Sequence, residues 1–167
     1  TQGIAVSQRT SSHGALPMLD LDNFKTINDT RGHLVGDLLL KEVASRLGSC
    51  VREVDTIARF GGDEFVVLLN DLGSDIATAH IRAESVAEKI RECLFEPYLL
   101  NVSRDRDELA PSLVEHRCST SIGGTVFFGN EMTQDDIFKW ADAAMYRAKD
   151  AGRNAIRFET LHQTGKP

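Results

Sequence analysis

The chain has 167 residues, of which 41% are hydrophobic and 26% are charged, and its formal net charge is −6 at pH 7. This length and hydrophobic content fit one folded domain with its own core and exclude a second large domain. The acidic balance, with a pI near 5.3, argues against nucleic acid as a partner, because a basic surface usually supplies most of the affinity for a phosphate backbone.

The cysteines and the apolar runs bear on the cellular compartment. Cys50, Cys93 and Cys118 are widely spaced and odd in number, which predicts neither a disulfide framework nor a zinc cluster. No apolar run reaches the roughly 20 residues that span a bilayer, and residues 1–14 lack the apolar centre of a signal peptide. We therefore expect a cytoplasmic domain, which leaves open a membrane-attached parent protein.

The two ends of the chain differ from its middle. Residues 1–13 are polar and carry no sustained period, so we expect a tail or a truncated element there. Residues 161–167 predict a second tail, or a linker to a further domain. The predicted domain spans residues 14–160.

The first part of this domain predicts a strand followed by helices. Residues 15–21 form a short apolar run that favours a buried strand, although Pro17 weakens it locally. Residues 23–25 begin a short helix. From residue 36 to residue 51, apolar side chains recur at helical spacing along one face, which predicts a helix packed on a sheet.

The middle of the chain predicts a β-hairpin and another helix. Residues 56–60 and 64–69 are two strand-like runs, and the turn between them contains Gly61 and Gly62. Residues 76–90 show an amphipathic helical period. The second strand of the hairpin is apolar on both faces, so we expect it near the centre of the sheet.

The remaining segments complete an α+β domain. Residues 101–115 are polar and predict a loop, and residues 118–128 predict a strand interrupted by glycine. Thr133 has the position of a helix cap, and Gly152 marks the end of the same helix. Residues 154–158 predict the last strand. Helices that alternate with strands, together with the hairpin, indicate one central sheet.

Acidic residues at two predicted strand ends suggest a metal site. Asp20 and Asp22 lie two positions apart and therefore on one face of the first strand. Magnesium usually takes one or two carboxylates plus waters and substrate phosphates, so Asp20 needs one further carboxylate from a neighbouring strand. Asp63 follows Gly61 and Gly62 directly and can provide it, while these glycines permit positive φ and leave room for a ligand beside the backbone.

Other polar residues suit a nucleotide. The candidates for phosphate are the first residues of the short helix, through their free amides, and two basic residues at the end of the last helix: Asn23, Phe24, Lys25, Lys149 and Arg153. Asn28 and Asp37 suit guanine. A carboxylate accepts from the guanine N1–H and exocyclic amine, and an amide both donates and accepts.

Each feature taken singly has an ordinary structural explanation. An acidic pair at a strand end is more often a helix cap or a solvated loop, and two glycines more often form a plain hairpin turn. Lys149 and Arg153 are favourable charges at a helix C-terminus, and Asn28 and Asp37 stabilise turns equally well. His33 more often caps or packs than catalyses. Only the combination favours a function.

That combination resembles a known family. The segments that carry the resemblance are DLDNFKTINDTRGH from Asp20, the pair Gly36-Asp37, RFGGDEF from Arg59 and ADAAMYRAKDAGRN from Ala141. In motif, order and spacing they resemble the GGDEF diguanylate cyclases, from about residue 16 to residue 158. The resemblance implies a ferredoxin-like palm whose central, mostly antiparallel sheet is flanked by helices, similar to the palms of nucleotidyl cyclases and polymerases. SQRTSSHGALP stands where the family usually has a D-x-L-T-G-L-x-N-R segment and a helix.

The resemblance implies that two GTP molecules are condensed into cyclic di-GMP and pyrophosphate in bacterial second-messenger signalling. It implies a metal site for Mg²⁺, with Mn²⁺ as an alternative, formed by the Asp20 and Asp63 carboxylates and the Leu21 carbonyl. Asp20, Asp63 and Glu64 are the implied catalytic residues, and Asp63 or Glu64 removes the proton of the attacking hydroxyl. The implied substrate contacts are those of the guanine, of the phosphates and of the hairpin turn: Asn28, Asp37, Asn23, Phe24, Lys25, Lys149, Arg153, Gly61 and Gly62.

Partners follow from the same resemblance. One domain holds one GTP, so catalysis requires a homodimer with the substrates antiparallel across the interface. Arg52 and Asp55 match an RxxD site for inhibition by the product cyclic di-GMP, with Lys89 or Arg91 as the second basic residue; the ordinary alternative is a surface ion pair. A covalently linked sensory domain or EAL domain is expected in the parent protein by analogy alone.

Two hypotheses compete with an active cyclase. One is a catalytically silent module of the same fold, for which GTP or cyclic di-GMP is a regulatory ligand. The other is an unrelated nucleotidyl cyclase of the same palm architecture, which a preference for adenine would reveal. The intact GGDEF hairpin favours the active cyclase over both.

Overall fold

A five-stranded sheet forms the centre of a computed structural model that describes residues 12–102, 113–129 and 132–159. In chain order the elements are β1 (His13–Leu21), α1 (Phe24–Arg31), α2 (His33–Cys50), β2 (Thr56–Arg59), β3 (Glu64–Leu68), α3 (Ile76–Phe95), β4 (Tyr98–Asn101), β5 (Leu113–His116), β6 (Thr120–Phe128), α4 (Gln134–Asp150) and β7 (Ile156–Glu159). The strand order is β2-β3-β1-β6-β7, and every pair is antiparallel except β6 with β7. The predicted mostly antiparallel sheet flanked by helices is therefore confirmed.

Side-chain alternation along β1 divides the core into two layers. Leu19 and Leu21 lie in a large cluster with α1, α2 and α3, whereas Leu16 and Met18 lie in a smaller cluster with α4. Successive side chains of a strand point to opposite faces, so the central strand is buried on both. On the side of the smaller cluster, the carboxyl end of β1 lies beside the last turns of α4.

Gly123 lets α4 lie against the sheet. A Cβ at this position would collide with backbone atoms of Met145 and Ala141. Residues 120–128 form one continuous strand, so the predicted interruption at glycine is wrong. The glycine permits close approach of a helix rather than a break in the strand.

The helix ends follow the sequence signals. The Thr133 hydroxyl accepts from the Asp136 amide at 3.1 Å, as a cap of α4 should. Gly152, with φ of 107°, follows the end of α4. By contrast α2 begins at His33, three residues before the first predicted position, because Gly32 with φ of 84° ends α1 there.

A two-stranded sheet of β4 and β5 was not predicted. The predicted loop is wrong at residues 101 and 113–115, which lie in these strands, and residues 103–112 lie outside the described part. Tyr98 and Leu100 are buried on alternate positions of β4, but four residues give too short a period to recognise. Arg46 lies 3.8 Å from the centre of the Tyr98 ring.

The first strand of the sheet begins one residue before the predicted start of the domain. β1 begins at His13, the last residue of the predicted tail, and residues 1–11 lie outside the described part.

None of the helices in the described ranges has the length and apolar character needed to cross a bilayer.

Candidate active site

Three acidic residues converge at the ends of two central strands. Asp20, near the end of β1, is in register with Glu64 on β3. The Leu21 amide donates to the Asp63 carbonyl oxygen at 3.2 Å, which fixes the hairpin turn against the end of β1. The sheet thus brings together the three predicted catalytic residues Asp20, Asp63 and Glu64.

The charges of this cluster perturb one another. The Asp20 side chain is 14% exposed, and its Oδ2 lies 2.9 Å from Lys149 Nζ. Burial raises the pKa of Asp20; Lys149 opposes this shift, and the negative charges of Asp63 and Asp22 add to it. The pKa of Glu64 is also raised, first by burial and then by Asp20 and Asp63. A cation at this point would relieve the repulsion between the carboxylates.

The donor set fits a hard cation. The Asp20 and Asp63 carboxylates and the Leu21 carbonyl supply only oxygen, which is the preferred donor of magnesium. Within the described ranges no three Asp, Glu, His or Cys side chains are grouped so that they would enclose a metal. The arrangement suits an ion that completes its coordination with water and phosphate.

Arg59 shapes the hairpin turn, a role that the sequence pattern does not indicate. Its guanidinium donates to the carbonyl oxygens of Gly61 at 3.2 Å and Gly62 at 2.7 Å. Neither glycine has positive φ, so the turn does not require the left-handed backbone conformation that glycine permits. A Cβ at Gly62 would meet no atom within 4 Å, and the space beside this backbone is open as predicted.

Asp22 belongs to the framework around the acidic cluster. It is 4% exposed. Its carboxylate accepts from the hydroxyls of Ser119 at 2.6 Å and Ser121 at 2.7 Å, and from the Asn154 amide at 3.1 Å. Asp22, which the sequence places two positions from Asp20, is therefore a structural acceptor, because these donors already use both of its oxygens.

The first turn of α1 lies directly after this strand end. Asn23 has φ of 60° and makes no side-chain capping bond, while Phe24 is buried and Lys25 is exposed. The amides of this turn are thus not occupied by the side chain of Asn23. A helix start in that state suits a phosphate oxygen.

The turn after α4 presents Arg153 on an anchored backbone. Gly152, Arg153 and Asn154 all have positive φ, of 107°, 64° and 45°. The Arg153 amide donates to the carbonyl oxygens of Ala148 and Lys149 at 3.2 Å each. The Arg153 side chain is exposed, whereas Lys149 Nζ contacts the Asp20 carboxylate.

The predicted guanine residues lie where α1 meets α2. Asn28 is half-buried and Asp37 is exposed. A Cβ at Gly36 would overlap Oδ1 of Asn28, so glycine at this position accommodates the amide. The pair Gly36-Asp37 is thereby placed beside Asn28. His33, the first residue of α2, is exposed.

Hydrogen bonds to the Asp55 carboxylate hold the turn from Arg52 to Asp55 in place. The Asp55 side chain is 1% exposed and the Arg52 side chain 53%. Asp55 accepts from the Arg52 amide and the Asn70 amide at 3.0 Å each, and its Oδ1 lies 3.0 Å from Arg52 Nη2. Asp55 holds the turn, and the half-exposed guanidinium of Arg52 remains the group that can meet a ligand.

The structure separates the two candidates for a second basic residue. Lys89 donates to the Cys50 carbonyl oxygen at 3.1 Å, close to the segment that leads to Arg52. Arg91 instead bonds Glu88 and donates to Asn154 Oδ1 at 2.8 Å. Lys89 is therefore the better placed of the two.

The chain is similar to known proteins over nearly its whole length. The family model described as "Diguanylate cyclase, GGDEF domain" matches residues 1–155. Over 157 residues the chain is 42% identical to the bifunctional diguanylate cyclase/cyclic di-GMP phosphodiesterase MucR of Pseudomonas aeruginosa. The matched segment covers 94% of this chain but only 20% of MucR.

Two solved structures share the fold. The GGDEF domain of PA1120 from Pseudomonas aeruginosa matches with a TM-score of 0.78 and 32% identity, over 96% of this chain and 91% of that one. The GGDEF domain of DgcB from Caulobacter crescentus, solved in complex with c-di-GMP, matches with a TM-score of 0.73 and 27% identity, over 94% and 84%. The chain therefore belongs to the GGDEF family of diguanylate cyclase domains.

Proposed function

We propose that this domain is an active diguanylate cyclase that joins two GTP molecules into cyclic di-GMP. The observation that carries the proposal is the cluster of Asp20, Asp63 and Glu64 at the ends of the central strands β1 and β3, with Lys149 Nζ 2.9 Å from Asp20. Carboxylates that hold a cation and a lysine beside them are the groups that nucleotidyl transfer needs around a phosphate.

The reaction is attack of the 3′-hydroxyl of one GTP on the α-phosphate of the other, with pyrophosphate as the leaving group. A bound Mg²⁺ or Mn²⁺ would polarise the α-phosphate and lower the pKa of the hydroxyl. Asp20, Asp63 and the Leu21 carbonyl are the proposed ligands. Glu64 is the proposed acceptor of the hydroxyl proton, because its raised pKa brings it closer to the pH at which a general base works best.

Substrate binding is proposed for groups from three parts of the chain. The phosphates would be held by the amides of the first turn of α1, by Lys149 and by Arg153. Asn28 and Asp37 would select guanine, since adenine offers no N1–H donor to a carboxylate. The open space beside Gly62 would admit the nucleotide close to the backbone of the hairpin.

Turnover requires two domains. Each domain holds one GTP in this proposal, and the two acidic clusters must face each other for each hydroxyl to reach the opposite α-phosphate. The product would bind a second time at Arg52 together with Lys89. The c-di-GMP complex of the DgcB GGDEF domain supports product binding by this fold.

The parent protein is proposed to carry further domains. The curated relative MucR is bifunctional, and this chain spans 20% of its length. We propose a covalently linked EAL or sensory domain, and a cytoplasmic position in which GTP is available. A neighbouring domain would control how often two GGDEF domains meet.

The test is a cyclase assay on the chain fused to a dimerising coiled coil. The protein is freed of carried-over nucleotide, incubated with GTP and magnesium, and assayed for cyclic di-GMP by chromatography. We expect product from the wild type and from Asp135→Asn, an exposed acid at the start of α4, and none from Asp63→Ala.

The same assay decides between the alternatives. Excess ATP should neither form product nor compete, whereas competition by ATP would contradict the guanine roles of Asn28 and Asp37. Absence of product from the fused dimer would overturn the proposed activity and leave a nucleotide-binding module of the same fold.

A further inference from the structure

Two cysteines from different helices meet where α2 and α3 end. Cys50 is the last residue of α2, and Cys93 lies in the last turn of α3. Both are free thiols, both pack in the larger core cluster, and the Cys93 thiol lies close enough to raise the pKa of Cys50. The pair takes no part in the nucleotide chemistry proposed above.

Reciprocal hydrogen bonds hold the two cysteines in this position. Arg46 donates to the Cys93 carbonyl oxygen, and Lys89 donates to the Cys50 carbonyl oxygen, each at 3.1 Å. Each donor lies four residues before the cysteine of its own helix and therefore on the same helix face. These two bonds tie the end of α2 to the end of α3 and hold Cys50 and Cys93 beside each other.

The two thiols differ in access to solvent. Cys50 is 6% exposed, whereas Cys93 is only partly buried. Burial and then the neighbouring Cys93 thiol raise the pKa of Cys50. An external oxidant therefore reaches Cys93 first, and Cys50 lies inside as the second thiol of the pair. Cys118 is an internal control for this reaction. It is a buried thiol, and burial raises its pKa to about 11.

We propose that Cys50 and Cys93 are an oxidation site, at which a low-molecular-weight disulfide such as oxidised glutathione forms an intramolecular disulfide bond between α2 and α3. The Cys93 thiolate attacks one sulfur of the small disulfide and releases one small thiol, leaving a mixed disulfide. Cys50 then loses its proton to solvent and attacks the Cys93 sulfur, releasing the second small thiol. Two protein thiols are oxidised and one small disulfide is reduced to two thiols. Transient disulfides of this kind are compatible with a reducing compartment.

The bond would have a structural consequence that can be measured. It closes a loop from residue 50 to residue 93 and ties two helices of the larger core layer. Closing such a loop restricts the unfolded chain, so we expect the melting temperature to rise by about 5–10 °C. It also fixes the end of α2 only two residues before Arg52.

The experiment uses the full chain in glutathione buffers of graded oxidised fraction. After acid quenching and alkylation, we expect a peptide pair linked through Cys50 and Cys93, a mass lower by two hydrogens and an unlinked Cys118. Cys50→Ser should instead keep a stable glutathione adduct on Cys93. Cys118→Ser should behave as the wild type, and Cys50→Ser/Cys93→Ser should lose the redox dependence of the melting temperature.

Contrary outcomes are distinct. A wild-type chain that retains glutathione on Cys93 without closing the bond, a bond to Cys118, or a folded chain with no reaction at either cysteine would each overturn the proposal. The readout is covalent and independent of GTP turnover, so it stands or falls apart from the proposed cyclase activity.

Discussion

Replacing Asp22 by alanine tests the framework that positions the acidic cluster. Its buried carboxylate accepts from two serine hydroxyls and from the Asn154 amide, with donor–acceptor distances between 2.6 and 3.1 Å. Asn154 in turn accepts from Arg91. One carboxylate therefore joins the end of β1, the start of β6 and the turn that carries Arg153, and through Asn154 it reaches α3.

The magnitude follows from the groups left without a partner. Ser121 is fully buried, and a hydrogen bond to a charged acceptor contributes roughly 1.5–3 kcal/mol. Because the three bonds are not additive, we expect Asp22→Ala to lower the free energy of unfolding by about 3–5 kcal/mol. Asp22→Asn should cost about 1–2 kcal/mol, since the amide keeps one oxygen for the Asn154 N–H and donates to a serine.

Urea unfolding followed by circular dichroism measures both variants. Asp135→Ala, at an exposed position in the first turn of α4, is the matched control and should stay within about 0.5 kcal/mol of wild type. If Asp22→Ala were as stable as this control, Asp22 would not hold the framework together. Equal losses for the alanine and asparagine variants would refute the hydrogen-bond argument in particular.

Two further predictions concern the site itself. The pKa values of Asp20 and Glu64 are raised, so the folded state binds protons more tightly than the unfolded state, and ionisation of these groups costs stability as pH rises above the ordinary carboxylate range. Asp63→Asn removes a negative charge that acts on both Asp20 and Glu64. In EDTA it should therefore raise the free energy of unfolding by about 0.5 kcal/mol at pH 7, and it should leave that free energy unchanged below about pH 3. A variant that is less stable than wild type at neutral pH would contradict this. Gly36→Ala should displace the Asn28 amide and raise the dissociation constant for GTP about tenfold, with little change in melting temperature. If isothermal titration calorimetry found an unchanged affinity for GTP, Asn28 would have no part in guanine recognition.

Local signals in the sequence were sufficient to predict that Asp20 and Asp63 lie close together at the ends of neighbouring strands. The strand that ends at Asp20 and the glycine turn before Asp63 each have a recognisable pattern, and their order matches a family motif. Their contact needs only that the two strands be neighbours, which a hairpin beside a central strand provides.

Other features depend on contacts that sequence spacing does not reveal. Asp22 and Asp20 look equivalent in the chain, and only the positions of Ser119, Ser121 and Asn154 show that Asp22 is a structural acceptor. β4 and β5 are short and separated by residues outside the described part, so no local period marks them.

Long side chains are the hardest to place from sequence. Lys89 and Arg91 are two residues apart, and the choice between them rests on which partner each side chain reaches, the Cys50 carbonyl or Asn154. The role of Arg59 at the glycine turn likewise depends on a guanidinium folding back onto two carbonyls of its own hairpin.

The proposal that two GTP-loaded domains must meet can be tested most directly by the rate of cyclic di-GMP formation across a range of chain concentrations. The measurement uses the unfused chain at saturating GTP and magnesium, beside Asp63→Ala. We expect the rate per chain to rise with concentration for the wild type and to be absent for the variant. A rate per chain that does not change with concentration, or product from Asp63→Ala equal to that of wild type, would contradict a cyclase that works through two facing acidic clusters.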